Sequence, residues 1–258
     1  MITKNQIKYI HSLAIKKYRD KEKCFIAEGP KVIKDLFPLL TCKTLFYTAD
    51  FRNKISSVLF KRIENTIEVT QKELERISLL RAPHEALALF HYSQDNFTQS
   101  DLLNISQKEL CLALDSVQDP GNLGTILRIA DWFGINHIFA SKDTVDVYSP
   151  KVVQATMGAI GRVRIHYVDL PLFVHEASKK TPIWGTFLDG EDIYNKPLDN
   201  KGIIMMGNEG KGISPEISKM IAHRLLIPNY PVGSETSESL NVAVATALVC
   251  GEFRRRTF

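Results

Sequence analysis

Long apolar runs are missing from this chain: hydrophobic residues make up 44% of it, yet no stretch approaches the roughly 20 residues that a membrane-spanning helix needs. The N-terminus carries lysines but no apolar segment followed by a small-residue cleavage site, so neither secretion nor membrane insertion is expected. Cysteine is scarce as well. Cys24, Cys42, Cys111 and Cys250 lie far apart with no C-x-x-C pair, which argues against a zinc ribbon and a disulfide scaffold and fits a reducing cytoplasm; no metal is expected. No internal repeat is present. Charged residues at 24% describe an ordinary globular protein able to bury a sizeable core rather than a disordered one.

What the sequence does have is uneven charge. Residues 1–34 hold nine basic side chains (Lys4, Lys8, Lys16, Lys17, Arg19, Lys21, Lys23, Lys31 and Lys34) against Asp20, Glu22 and Glu28. That segment is therefore +6 in a chain of net charge +4, which leaves the remainder at −2. Tyr9, Tyr18 and Phe25 are interleaved with the basic residues, a mixture suited to phosphate contact and base stacking. A plain solvated helix face is the alternative, because Ile7, Ile10, Leu13 and Ala14 recur at helical spacing. Both are expected together: a helix whose basic face meets RNA.

At 258 residues, two domains are expected. From residue 6 to about 92 the pattern alternates between helices and short apolar strands, with strands at 24–27, 44–47, 66–70 and 85–90 and helices at 30–37 and 72–80. This reads as a small α/β RNA-binding domain, residues 1–98. Residues 93–106 are rich in Ser, Gln, Asp, Asn and Thr and read as a connection. The second domain, 107–258, begins with the apolar run 110–114. Further strands are expected at 135–140, 163–168, 182–187, 202–206 and 224–227, and their near-continuous apolarity points to a parallel sheet covered on both faces.

Three polar loops follow strands in this half. Asp119-Pro120-Gly121-Asn122-Leu123-Gly124 precedes a helix at 125–133, for which Asn122 is a candidate cap. Ile126, Leu127, Ala130 and Phe133 make that helix's buried stripe, leaving Arg128 on a flank with its guanidinium free; an ordinary surface arginine is the alternative. Gly207-Asn208-Glu209-Gly210-Lys211-Gly212 follows the strand at 202–206, and its glycines allow a ligand to approach backbone amides. It is neither a Walker loop nor a dinucleotide fingerprint, since it has neither spacing. The third loop runs from Ile227-Pro228 through residues 233–238 to Ser239-Leu240-Asn241, ahead of a helix of small residues at 242–249 that is expected to be buried against another element or a second subunit. Ser239 is a candidate N-cap, and no histidine or acid stands in a relation that would make it a nucleophile.

In this order and spacing the three loops resemble the three motifs of the SpoU/TrmH branch of the SPOUT methyltransferase superfamily. The resemblance covers residues 107–253, and 149–159 is similar to a further family segment. Phe25-Ile26-Ala27-Glu28-Gly29 with Lys31 resembles the substrate-binding domain found ahead of many ribosomal-RNA members. The stretch between Pro228 and Ser239 is longer than in compact members. The resemblance implies an α/β fold with a deep trefoil knot, S-adenosyl-L-methionine as cofactor, a homodimer, and methylation of a ribose 2′-hydroxyl in structured RNA; the preceding domain favours ribosomal RNA, with transfer RNA as the alternative substrate. It also implies cofactor contacts at Thr186, Gly207, Ile227 and Leu240. Arg128 matches the catalytic arginine, with Asn122, Glu209, Ser239 and Asn241 orienting ribose and loops. A guanidinium stays protonated in proteins, so stabilising a developing alkoxide or gripping a phosphate suits Arg128 better than acting as a base. A non-catalytic RNA-binding protein of the same fold, or a small-molecule α/β enzyme, are the rival readings; the latter leaves the basic N-terminus unexplained.

Overall fold

The computed structural model describes residues 1–60, 63–93, 96–231, 234 and 239–256. The chain forms two compact units, one of residues 1–95 with 146–162 and the other of 96–145 with 163–258.

The first unit is a four-stranded sheet in the order β1-β4-β2-β3, built from β1 (Cys24–Glu28), β2 (Cys42–Tyr47), β3 (Asn65–Glu68) and β4 (Ala86–His91). β4 runs antiparallel to both β1 and β2, and β2 runs parallel to β3. Helices α1 (Lys4–Ser12), α2 (Lys16–Glu22), α3 (Pro30–Leu36), the single turns α4 (Ala49–Arg52) and α5 (Ser57–Phe60), and α6 (Gln71–Ile77) join the strands. Two-residue alternation sorts the side chains: Ile26, Leu87 and Leu89 pack with Ile10, Leu13, Leu74 and Ile77, while Phe25 and Phe90 meet Phe37 and Tyr148.

Two expectations for the basic segment are corrected here. Phe25 is fully buried and stacks on Phe90, so it is core and not a base-stacking platform. Arg19 is only 2% exposed: its guanidinium donates to the carbonyls of Leu13 and Ala14, each at 2.8 Å, and to Asp146 at 2.5 Å. It therefore closes the end of α1 and is unavailable to phosphate. Asp146 reaches it from the returning segment, which continues into α9 (Pro150–Thr156) against β1.

The second unit is a six-stranded, all-parallel sheet in the order β10-β8-β9-β5-β6-β7. Its strands are β5 (Leu110–Leu114), β6 (His137–Ser141), β7 (Arg164–Val168), β8 (Ile183–Asp192), β9 (Gly202–Met206) and β10 (His223–Leu226). Its helices are α7 (Gln99–Lys108), α8 (Pro120–Trp132), α10 (Leu170–Ala177), the turn α11 (Pro215–Ser218) and α12 (Val242–Arg255). The central strands β5 and β9 are buried at every residue, as a parallel sheet covered on both faces requires. One core cluster unites Cys111, Ala113, Ile203 and Met205 with Phe173 and Val174 of α10 and Ile217 of α11.

Residues 93–106, expected to be a connection, contain most of α7 instead. Thr98 and Asp101 form a reciprocal capping box at its start, and Leu102 enters the core cluster with Leu103 and Ile105 packed against it. The polar surface of that helix masked its period. All four cysteines are buried and free, and burial pushes the thiols of Cys42, Cys111 and Cys250 up to about 12.

Because Arg19 is buried, removing its partner leaves an uncompensated charge. Asp146→Ala is expected to cost about 3–5 kcal/mol, read as lost hydrogen-exchange protection at the amides of β1 and α9, with the tryptophan-reported unfolding of the second unit unchanged.

Candidate active site

The second unit's loops gather beyond the carboxyl ends of its central strands, where open parallel sheets place their ligands. Asp115 follows β5 and accepts a hydrogen bond from the backbone N–H of Ser214 at 2.7 Å, and the Ser116 carbonyl accepts from the Asn208 side chain, also at 2.7 Å. These two contacts tie the first loop to the second.

Asp119 starts α8. Its carboxylate accepts from the Asn122 N–H at 2.8 Å, so the cap is Asp119, with Pro120 in the first turn, and not Asn122 as expected from sequence. The helix consequently begins five residues earlier than expected, and the Asn122 side chain is released for other work. Its Nδ2 donates to Glu209 Oε1 at 3.0 Å, and its Oδ1 accepts from Asn241 Nδ2 at 2.9 Å. Asn241 caps α12 in turn, its Oδ1 accepting from the N–H groups of Ala243 and Val244. This corrects Ser239 as candidate cap. One helix's backbone thus fixes which way each amide faces: Asn241 must present its nitrogen to Asn122, and Asn122 its nitrogen to the carboxylate.

Glu209 lies at the amino end of α8, within 3.4 Å of the Asp119 N–H, where the helix dipole favours negative charge. Its other oxygen accepts from Asn208 Nδ2 at 3.3 Å. Sequence reasoning passed over Asn208, yet this side chain shapes the whole loop. Its Oδ1 takes the N–H groups of Gly210 and Lys211, each at 3.0 Å, and its backbone pairs with Gly212 in both directions. The N–H groups of Asn208, Gly210, Lys211 and Gly212 are thus engaged within the loop itself. Gly207 is a glycine of necessity, because a Cβ there would lie 2.2 Å from the Gly212 carbonyl carbon.

At the outer strands, the β10 ladder steps on β8 from Gly185 to Glu191, so residues 186–190 leave it as an excursion. Thr186 begins this excursion, half-buried, with its hydroxyl 3.5 Å from the Met205 carbonyl, and Leu188 is 74% exposed. Arg224 holds the excursion: its guanidinium stacks on Phe187 at 3.5 Å and pairs with Asp189 at 2.5 Å, holding that carboxyl below the usual range. Gly207 follows β9, Ile227 follows β10, and Thr186 follows the three residues of β8 that pair with β9, so the three lie on neighbouring strands. Leu240, 48% exposed, and Ser239, also exposed and without a hydrogen bond to any described residue, precede Asn241. Gly233 and residues 235–238 of the third loop lie outside the described residues.

Arg128 sits on α8 six residues past Asn122, about 9 Å of helical rise away. It is exposed and makes no hydrogen bond or ion pair with any described residue. The structure thus brings Asn122, Glu209 and Asn241 into direct contact, and leaves Arg128 and Ser239 as uncommitted polar side chains on the same unit. Among the described residues no cluster of three or more His, Cys, Asp or Glu side chains is placed to hold a metal, and no helix is long and apolar enough to cross a membrane.

A parallel α/β unit with polar loops gathered beyond its strand ends has the architecture that places ligands at that edge. The SpoU rRNA Methylase family matches residues 109–251, more than half the chain, and the MRM3-like substrate binding domain matches residues 4–88. The chain belongs to the SpoU rRNA Methylase family, with a substrate-binding domain ahead of the methylase domain. It is 31% identical over 207 residues to the 23S rRNA (guanosine-2′-O-)-methyltransferase RlmB of Neisseria meningitidis, covering 77% of this chain and 81% of that one. A TrmH-family structure from Porphyromonas gingivalis is 39% identical, with a TM-score of 0.87 over 99% of both chains. An AdoMet-bound rRNA methyltransferase from Sinorhizobium meliloti is 30% identical, with a TM-score of 0.86 over 100% of this chain and 97% of the other.

The relay generates a test. Asn122→Asp would set a carboxylate against Glu209, and the pair would hold together only with a proton between them, raising the folded-state pKa above the unfolded value of about 4. The variant is expected to match wild-type thermal stability below about pH 4 and to fall behind as the pH rises through that raised value. A melting-temperature series from pH 4 to 8 reads the difference.

Proposed function

We propose that this chain transfers the methyl group of S-adenosyl-L-methionine to a ribose 2′-hydroxyl of ribosomal RNA in the cytoplasm, acting as a homodimer. It is an RNA 2′-O-ribose methyltransferase. The observation that carries the reading is the joining of three loops, 87 and 119 residues apart in sequence, through Glu209, Asn122 and Asn241, on the same unit as an uncommitted guanidinium.

The residues bordering the strand ends suit such a cofactor. Leu188, Leu240 and Ile227 supply apolar surface for an adenine ring, and the loosely held Thr186 hydroxyl and the backbone around Gly207 supply polar contacts at its edge. When bound, the cofactor supplies an electrophilic methyl group. Glu209, Asn122 and Asn241 keep the loops in one geometry, which lowers the reorganisation needed when substrate arrives. Arg128 grips the adjacent phosphate or stabilises charge as the hydroxyl loses its proton, a task for a bidentate, permanently charged fork. Ser239, exposed beside Leu240, would donate to the ribose. The knotted chain path belongs to the same reading.

Exposed apolar side chains on α8 and α12 support pairing of two copies. Trp132 is 85% exposed, Val244 50% and Leu248 42%, on two helices packed side by side. Such surface is normally covered. The basic face of α1 and α2, with Lys4, Lys8, Lys16 and Lys17 exposed, supports RNA binding by the first unit.

Mapping 2′-O-methylation in ribosomal RNA by resistance to alkaline cleavage, in cells with and without the gene, tests the activity directly. Loss of one methylated site is the expected result. In vitro, Arg128→Lys is expected to lower methylation at least roughly 10-fold, the scale of a missing bidentate hydrogen bond to a charged group, with S-adenosylmethionine affinity in calorimetry unchanged. A rate near wild type would defeat the assigned role.

Deleting residues 1–34 would remove β1, so charge reversal is the sharper test of the RNA-binding face. Changing Lys4, Lys8, Lys16 and Lys17 to Glu is expected to weaken RNA binding and to flatten its log–log salt dependence by about 0.7–0.9 for each phosphate no longer neutralised. An unchanged slope would remove this face from the interface.

A further inference from the structure

Within the first unit, a cavity of about 330 Å³ opens between β1, the turn after α6, and α9. Ile26, Leu79, Leu80 and Ala155 give it apolar walls, and Glu28, Lys151 and Gln154 add polar groups. None of these side chains takes part in the site over the parallel sheet. The size falls at the lower end of small-molecule pockets, which is the size class of a single nucleobase.

Glu28 is the unusual member. It is 5% exposed, and its carboxylate accepts hydrogen bonds from the Ser78 hydroxyl and from the Leu79 N–H, the latter at 3.0 Å. Two donors fill about half of the acceptor positions a carboxylate offers. Burial lifts its pKa in spite of both bonds and of the nearby His11 side chain, and the unfilled acceptor positions are open to further N–H donors.

RNA-binding proteins read unpaired bases by sandwiching the ring between apolar or aromatic surfaces and hydrogen-bonding its Watson–Crick edge. Guanine carries two adjacent donors on that edge, N1–H and N2–H₂, whereas adenine and cytosine present one amino group and uracil one imide N–H. A carboxylate therefore selects guanine. We propose that this cavity receives one unpaired guanine of the RNA substrate, with N1–H and N2–H₂ donating to Glu28 and O6 accepting from Lys151 or Gln154. The proposal rests on RNA being the substrate and assigns a recognition pocket separate from the one for the methylated nucleotide. If Glu28 serves only to hold the turn at Ser78 and Leu79, no nucleotide is recognised there.

Full-length ¹⁵N-labelled protein titrated with GMP, AMP, CMP and UMP tests it. GMP is expected to shift the amide resonances of Leu79, Leu80 and Gln154 at concentrations at least roughly ten-fold lower than the other three nucleotides, as expected for two charge-assisted hydrogen bonds against one. Glu28→Gln should abolish the GMP response, and Ala155→Phe, which fills the cavity while leaving the Glu28 side chain chemically intact, should do the same. Where Glu28→Gln fails to fold, Ala155→Phe decides. No shift with GMP, equal shifts with all four nucleotides, or responses surviving in the folded variants would overturn the pocket. Methyl transfer to ribosomal RNA, assayed on the same three proteins, keeps the two readings apart. Activity in wild type that persists undiminished in both variants sinks the pocket alone, while a wild type inactive on any ribosomal RNA sinks the RNA reading. A roughly ten-fold loss in the variants, with S-adenosylmethionine binding intact, is the result expected.

Discussion

The second unit depends on one arrangement of hydrogen-bond polarity. Two asparagine side chains and a glutamate form a directed series that begins at the first N–H groups of α12 and ends on a carboxylate at the amino end of α8. Every donor in it faces an acceptor, and two helix starts help to define the direction. Three loops that are far apart in sequence can satisfy all these groups at once in only one mutual arrangement, so the price of ordering them is met by the fold before any ligand arrives.

Behind this lies the parallel sheet, which supplies position rather than chemistry. β5, β8, β9 and β10 point the same way, so the segments that follow them emerge at one edge. The sequence departs from regularity where the edge needs shaping: at Gly207, where two stretches of backbone nearly touch, and at residues 186–190, which leave the ladder and are held by Arg224. Regular strands give the platform, and the exceptions give it a concave rim.

Much of this was legible from the residues alone. The apolar runs of the second half announced six strands within a residue or two at most ends, although β8 continues five residues past its expected end because the excursion rejoins the ladder. Asn122, Glu209 and Asn241 were recognisable from their motifs. What stayed hidden were features that spacing does not encode. The cap of α8 moved to Asp119 because an aspartate before Pro-Gly can reach the first free N–H groups while an asparagine inside the turn cannot. Asn208 looked like one more polar loop residue, and its role rests on a hydrogen bond to Ser116, 92 residues away. Arg19 and Phe25 looked like surface residues in a basic run because their partners, Asp146 and Tyr148, lie more than a hundred residues downstream.

Those distant partners bear on the order of events at the ribosome. Asp146 is synthesised 127 residues after the arginine it neutralises, an interval of roughly 6–25 s at typical elongation rates. During that time the nascent first unit holds a guanidinium with no counter-charge and a β1 face with no α9 against it. Its own core is nearly complete, yet it must wait for a segment encoded within the next unit, so the two halves of this chain cannot mature strictly one after the other.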